Sequence, residues 1–339
     1  MKGENTMKTN FEQIVDVTKI AVVEKEWALN KVLEVMKNNQ NLTFEEAVEE
    51  VKNMKEITLE EVITLGESEN LPASVNDIEK NLLVVIDAQY DFHEGGSLAV
   101  PGAREDTRRT TEFIYKWAHK ITNILVSLDT HAIVQIFHPA FWFDKDGNHP
   151  GPYTVITLED VRSGKYNSLY INEAIKYLEG LEAGQKKQLV IWPYHCLQGT
   201  KGWLPEQELI KMVYFHSAAR KARPFFLLKG QNPFSEMYGI YKEEFSISGA
   251  NFVNTKVLKL MEDYDKIYFL GQAKSHCVLE SMKQFLEEYA DRPDITSKVY
   301  FVIDCSSCVA GFEDATEKEL QRLAKDYGIK VVKSTDVQM

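Results

Sequence analysis

The sequence predicts an α/β fold: a doubly wound, mostly parallel six-stranded sheet with an N-terminal helical extension. Three observations carry that expectation. From residue 80 onward, short apolar runs alternate with longer amphipathic stretches. The runs are continuous apolar blocks, the pattern of strands buried on both faces by crossover helices. Before that point helical periodicity dominates, and neither Gly nor Pro occurs between Phe11 and Leu65.

In the first segment, apolar residues at Ile14, Val15, Ile20, Val23, Trp27, Leu29, Val32, Leu33 and Met36 recur at helical spacing. Thr43 with Glu46, and Thr58 with Glu61, read as capping boxes. The spacing predicts helices over roughly 10–38, 43–54 and 58–65, closed by Gly66 and Pro72. The expected division is an acidic helical extension over 1–78 and an α/β domain over 79–339. The extension contains no chemical motif and is expected to pack on the main domain or on a sister subunit.

Charge supports that division. The chain has 39 Lys and Arg against 51 Asp and Glu, a net of −12. Residues 1–78 hold 16 acidic residues, 8 Lys and no Arg, a net of −8, which leaves −4 for the rest. An acidic chain repels phosphates, so no nucleic-acid partner is expected. No apolar run approaches the roughly 20 residues that span a bilayer, so no membrane partner is expected. The first residues, MKGENTMKTNFEQ, lack the apolar core of a signal peptide. Four Cys in this length do not make a disulfide scaffold. The expected location is the cytoplasm, with reduced thiols.

The strand candidates are LLVVID (82–87), NILVSLD (123–129), QLVIW (188–192), KIYFLG (266–271), VYFVID (299–304) and IKVVKS (329–334). Helix candidates include 104–119, 275–288 and 315–327. In open α/β sheets, chemistry sits beyond the carboxyl ends of the strands. The reactive residues should therefore follow the apolar runs. Asp87 ends the first run and Asp129 the second, with His131 two residues on. His195 follows the third and Cys277 the fourth, while Lys229 lies after a further apolar run in FFLLKGQNPF.

Taken singly, each has a plain structural explanation: a helix N-cap, a small buried thiol, a satisfied histidine. Together they form two constellations. Asp87, Lys229 and Cys277 suit acyl transfer through a thioester. A carboxylate takes the thiol proton and returns it to a leaving amine, and the Lys favours both anions. A helix beginning at Cys277 would lower the thiol pKa further. Asp129, His131 and His195 suit one divalent metal ion, Zn, Fe or Mn, with positions left open for water or substrate.

These segments resemble the nicotinamidase/pyrazinamidase branch of the isochorismatase-like cysteine hydrolases. VVIDAQYDFHEGGSLAVPGA (84–103) resembles that family's first-strand signature, and SLDTH (127–131) its metal motif. WPYHCLQGT (192–200), LKG (228–230) and GQAKSHCVLES (271–281) resemble its metal-and-pocket, Lys and nucleophile segments. The likeness covers about residues 80–335. It implies Asp87 as general base and acid, Lys229 as electrostatic partner and Cys277 as nucleophile. It also implies a cis peptide between Gln272 and Ala273, with the N–H groups of Ala273 and Cys277 forming the oxyanion hole. Asp129, His131 and His195 would hold the metal, with His138 a candidate fourth ligand or a surface-loop residue. Phe92 and Trp192 would sandwich an aromatic ring. The implied activity is hydrolysis of nicotinamide to nicotinate and ammonia, a step of NAD salvage and pyridine nucleotide biosynthesis. The expected partners are a small-molecule amide substrate and further copies of the chain in a homo-oligomer.

The sequence departs from the family pattern at Tyr90, where Asn is usual, and at Thr130, where an aromatic is usual. It also carries a long insert at about 140–187, rich in aromatics, Gly and Pro, expected near the pocket mouth as a lid or subunit contact. Two alternatives stay open. One is another cysteine amidase acting on a different small amide or N-carbamoyl compound. The other is a non-catalytic metabolite sensor. Cys196 is expected to be a packed thiol, and CSSC at 305–308 a structural strand end.

Overall fold

The structure is a computed structural model. It describes residues 57–249 and 253–339, together with Met36, Lys37, Leu42, Thr43 and Glu46. The expected helices over 10–38 and 43–54 lie outside the described residues, apart from those five positions. The two capping boxes are formed. In the first, Glu46 accepts from the Thr43 N–H and Thr43 Oγ1 accepts from the Glu46 N–H. Thr58 and Glu61 repeat the exchange at the start of helix α1 (Leu59–Ser68).

Six parallel strands form the central sheet: β1 (Asn81–Ile86), β2 (Ile121–Asp129), β5 (Phe225–Lys229), β6 (Lys266–Gly271), β7 (Val299–Val302) and β8 (Lys330–Val332). Their order is β5-β2-β1-β6-β7-β8. The chain runs outward from β1 in one direction and resumes on its other side at β6. The gap between β1 and β6 is therefore the switch point, where two loops diverge and leave a crevice.

One expected strand is corrected. The run QLVIW does not join the central sheet. Within it only β4 (Leu189–Val190) is extended, and it pairs antiparallel with β3 (Val155–Ile156) in a separate two-stranded ribbon. Its place is taken by β5, whose last residue is Lys229. As an edge strand, β5 leaves Phe226 and Leu228 exposed.

Alternation along β1 divides the core into two layers. Leu82, Val84 and Ile86 face one side, with Phe285 from α7 (Leu279–Glu288) and Leu320 and Leu323 from α9 (Glu313–Tyr327). Leu83 and Val85 face the other. There they meet Phe113 and Ile114 of α2 (Ala103–Trp117) and Met212 and Val213 of α5 (Gln207–Arg220). Val62 of α1 joins this second layer, so the last helix of the expected extension shares the domain's core. The insert folds against the first layer: Trp142, Tyr177 and Leu178 are buried in it, the latter two from α4 (Ile171–Ala183).

Gly271 ends β6 with φ +114°, and a Cβ there would overlap the backbone of Ile86. Both the conformation and the close approach exclude other residues. Gly271→Ala is expected to lower the unfolding free energy by about 2–4 kcal/mol. A denaturant titration with an unchanged midpoint would contradict this reading of the switch point.

Candidate active site and metal centre

Strand ends bring the predicted residues together. Asp87 follows β1 in the left-handed region, with φ 43°. Ser127 and Asp129 are two apart on β2, so they share a face of the strand. Lys229 ends β5 and is paired in register with Asp129. Cys277 lies in the turn after β6.

Lys229 Nζ is the hub. It lies 3.0 Å from Asp87 Oδ2 and 2.9 Å from Asp129 Oδ1. It also donates to the Met237 carbonyl at 2.9 Å and sits 3.7 Å from Cys277 Sγ. Asp87 Oδ1 accepts from Ser127 Oγ at 2.6 Å. Asp87 and Lys229 are almost fully buried, and Cys277 keeps 7 % of its surface exposed.

Burial governs the charges. It would strip the proton from Lys229, but Asp129 and Asp87 outweigh it and hold the ammonium well above its ordinary range. Burial raises the Asp87 carboxyl, against the pull of Lys229 and the Ser127 hydrogen bond. The Cys277 thiol is pushed well up by burial, with Lys229 opposing and the two carboxylates adding. This corrects the expectation of a helix dipole that acidifies the thiol. Cys277 sits in one π-helical turn (Lys274–Val278), and α7 begins only at Leu279. A thiol pushed up in this way needs an adjacent base before it can act as a nucleophile.

The peptide bond between Gln272 and Ala273 is cis, as the resemblance implies. The Ala273 carbonyl accepts from the His276 and Val278 N–H groups, closing the turn that carries Cys277.

The second constellation adjoins the first through Asp129. Asp129 Oδ2 faces His131 Nε2 at 3.0 Å and His195 Nε2 at 3.9 Å. One ligand atom from each of Asp129, His131 and His195 lies within 4.8 Å of the others. Nδ1 of each histidine meets a backbone carbonyl: Gly230 for His131, Pro193 for His195 and Ala132 for His138. A carbonyl can only accept, so Nδ1 carries a proton and Nε2 is the atom left to face a metal. Gly230 has φ +73°, and a Cβ there would press on Asp129 and His131, so this turn also needs glycine.

His138 is buried rather than on the surface. Its ring centroid lies 5.7 Å from that of His131 and 5.5 Å from that of His195. Its Nε2 is buried with no hydrogen-bond partner, and burial lowers its pKa to about 4. Burial likewise drives His195 well below its ordinary value. For His131 the Asp129 carboxylate overcomes burial and raises the pKa. One carboxylate oxygen of Asp129 and one imidazole nitrogen each from His131 and His195 form a donor set that fits a borderline divalent metal, with His138 beside it. Asp87, Asp129 and Cys277 also lie within 4.8 Å of one another. Lys229 occupies the space between them, and its charge fills that position.

The expected ring-binding residues lie in two places. Phe92 is 5 % exposed and meets the His195 ring edge-on at 5.7 Å. Trp192 is held through its indole N–H, which donates to Glu236 Oε2 at 3.2 Å, and it meets the His276 ring at 6.0 Å. His276 in turn touches Tyr238 and Phe312.

Glu236, Tyr238, His276 and Ser127 are site residues that sequence reasoning missed. Glu236 is buried, and its carboxyl is pushed up to about 7 by burial and by Asp129. Its backbone N–H donates to the Tyr177 hydroxyl of the insert. The insert thus contacts the segment that carries Glu236. Only Ser127 carried a sequence signal, its two-residue spacing from Asp129. Tyr90 lies under the Lys201 ammonium at the rim, and the Thr130 hydroxyl accepts from the Trp203 indole. All four cysteines are free.

No protein-family model matches the sequence, and no curated protein matches it. Solved structures do match. A nicotinamidase/pyrazinamidase from Acinetobacter baumanii superposes with a TM-score of 0.52 at 20% identity, covering 78% of this chain and 100% of that one. Yeast nicotinamidase bound to the inhibitor nicotinaldehyde gives 0.51 at 19% identity, covering 75% of this chain and 99% of that one. The chain therefore has the fold of these enzymes.

Proposed function

We propose that this chain is an amide hydrolase of the nicotinamidase type, converting nicotinamide and water to nicotinate and ammonia. One observation carries the reading: a single buried ammonium, Lys229, touches a thiol and two carboxylates, one of which reaches two histidines. The fold shared with nicotinamidases supports it.

Cys277 Sγ attacks the carboxamide carbon while its proton passes to Asp87. The carbonyl oxygen gathers charge that the N–H groups of Ala273 and Cys277 are assigned to receive. Collapse of this adduct breaks the C–N bond, and the proton on Asp87 leaves with ammonia. Water then attacks the thioester, giving one proton to Asp87 as the C–S bond breaks. The acid departs and Asp87 returns that proton to the thiolate. Lys229 stays charged throughout and stabilises each anionic stage. Phe92 and Trp192 are assigned to flank the aromatic ring.

Asp129, His131 and His195 would hold a divalent metal, with His138 as fourth ligand. A bound metal would supply a Lewis-acidic charge beside the ring and order water near the thioester. Elemental analysis is expected to find about one divalent metal per chain. His138→Ala is expected to weaken retention by about 10–100-fold, measured by competition with a chelator. Equal retention would remove His138 from the ligand set.

Ammonia release from nicotinamide by purified protein, with metal present, tests the reaction. Release from neither nicotinamide nor pyrazinamide would sink the substrate assignment.

A further inference from the structure

We propose that Asp106 is a positioning residue for the nucleophile turn, acting through the side-chain amide of Gln272. The proposal rests on the reading of Cys277 as the nucleophile.

Asp106 lies in the first turn of α2 and is 3 % exposed. Its Oδ2 accepts from Gln272 Nε2 at 2.9 Å. Gln272, also buried, donates its own backbone N–H to the Ile86 carbonyl at 2.8 Å, one residue before Asp87. It precedes Ala273, whose carbonyl holds the turn around Cys277. Gln272 thus joins three parts: the helix behind the sheet, the strand end that carries the base, and the turn that carries the thiol.

The surroundings lock this junction from outside. Ser306 Oγ donates to the Gly271 carbonyl, the Lys274 N–H to the Ser307 carbonyl, and the Val309 N–H to Ser275 Oγ. Arg109 donates to the Asp304 carbonyl and lies 3.7 Å from Asp106 Oδ1. Asp106 is faced by Arg109 from its own helix, by Gln272 and Lys274 from the nucleophile turn, and by Ser307, Cys305 and Cys308 from the loop after β7. Burial pushes its carboxyl up to about 6, against the Ser307 and Gln272 hydrogen bonds and the two cations.

A carboxyl here is expensive, since an apolar residue would fill the same core without desolvation. A second feature shows what it does. Gln272 Oε1 is buried with no hydrogen-bond partner. The amide therefore takes its orientation from its Nε2 end, where Asp106 is the acceptor. Without that acceptor both ends are unpaired and the side chain must move, carrying Ala273 with it.

Two readouts test this. One is the pH profile of Cys277 alkylation by iodoacetamide, followed peptide by peptide by mass spectrometry. The other is kcat and KM for amide hydrolysis. Asp106→Leu is expected to shift the alkylation midpoint by about half a pH unit or more. It is also expected to lower kcat by about 10²-fold with little change in KM. Asp106→Asn, which keeps an acceptor for Gln272, should restore most of both. A variant that loses thermal stability but keeps the wild-type alkylation profile and kcat would overturn the proposal. If Asp106→Leu fails to fold, Gln272→Met decides: it should shift the profile likewise, and an unchanged profile overturns the proposal. If the wild type releases no ammonia, the amidase reading falls, and the alkylation profile alone decides the role of Asp106.

Discussion

Cys277→Ala is expected to abolish ammonia release, lowering kcat by about 10⁴-fold or more while leaving the fold intact. Covalent attack is the route that the site is arranged for. The thiol lies 3.7 Å from Lys229 and beside Asp87, a carboxyl that burial raises above its ordinary range. Removing Sγ leaves Asp87 with no proton to accept and the carboxamide with no internal nucleophile. Whatever rate survives would come from binding and from polarisation of the carbonyl. The vacated space is small, since alanine loses one sulfur atom, so the unfolding midpoint should shift little. The check is turnover of nicotinamide and pyrazinamide beside a thermal melt. Wild-type turnover in a folded Cys277→Ala protein would discard the thioester. Wild-type metal content in the same protein would place the loss at the nucleophile, because the metal set shares no atom with Cys277.

The residues that read well in the sequence are those that a sheet places by rule. Asp87, Asp129 and Cys277 all follow apolar runs, and parallel strands deliver their carboxyl ends to one edge. His131 and His195 reach the same point, although the run before His195 is not part of that sheet. QLVIW and FFLLK are both short apolar runs, and periodicity cannot say which of them pairs with β2. That choice is made by long-range contacts. Pro193 breaks the first run, while Lys229 needs the register that sets it beside Asp129. Glu236, Tyr238 and His276 were illegible for a related reason. Glu236 and Tyr238 lie in an irregular loop and His276 in the π-turn, and they meet Trp192 only once the chain is folded. Competing effects set the Cys277 pKa. A helix terminus lowers a thiol pKa modestly. Full burial acts in the opposite direction with greater weight.

Lys229→Met should damage stability as well as activity, and the two losses should differ in their pH dependence. Methionine matches the length of the Lys stem but leaves Asp87 and Asp129 buried with their shared cation removed. Breaking a buried pair from one side costs about 3–5 kcal/mol. Asp87 is already raised by burial, and Lys229 is the main influence holding it down. In the variant its folded pKa climbs further above the unfolded value of about 4. The native state then binds a proton that the unfolded state releases, so stability falls as pH rises through that window. The destabilisation should be largest near pH 8 and partly relieved near pH 5, where the further-raised Asp87 of the variant takes up a proton more readily. Denaturant midpoints of wild type and variant at the two pH values measure this difference. Activity should fail at both, because a protonated Asp87 cannot serve as base and an ionised one has lost its partner. A midpoint difference that is equal at pH 5 and pH 8 would mean that Lys229 contributes packing alone. The coupling of one ammonium to both carboxylates would then not be what holds this site together.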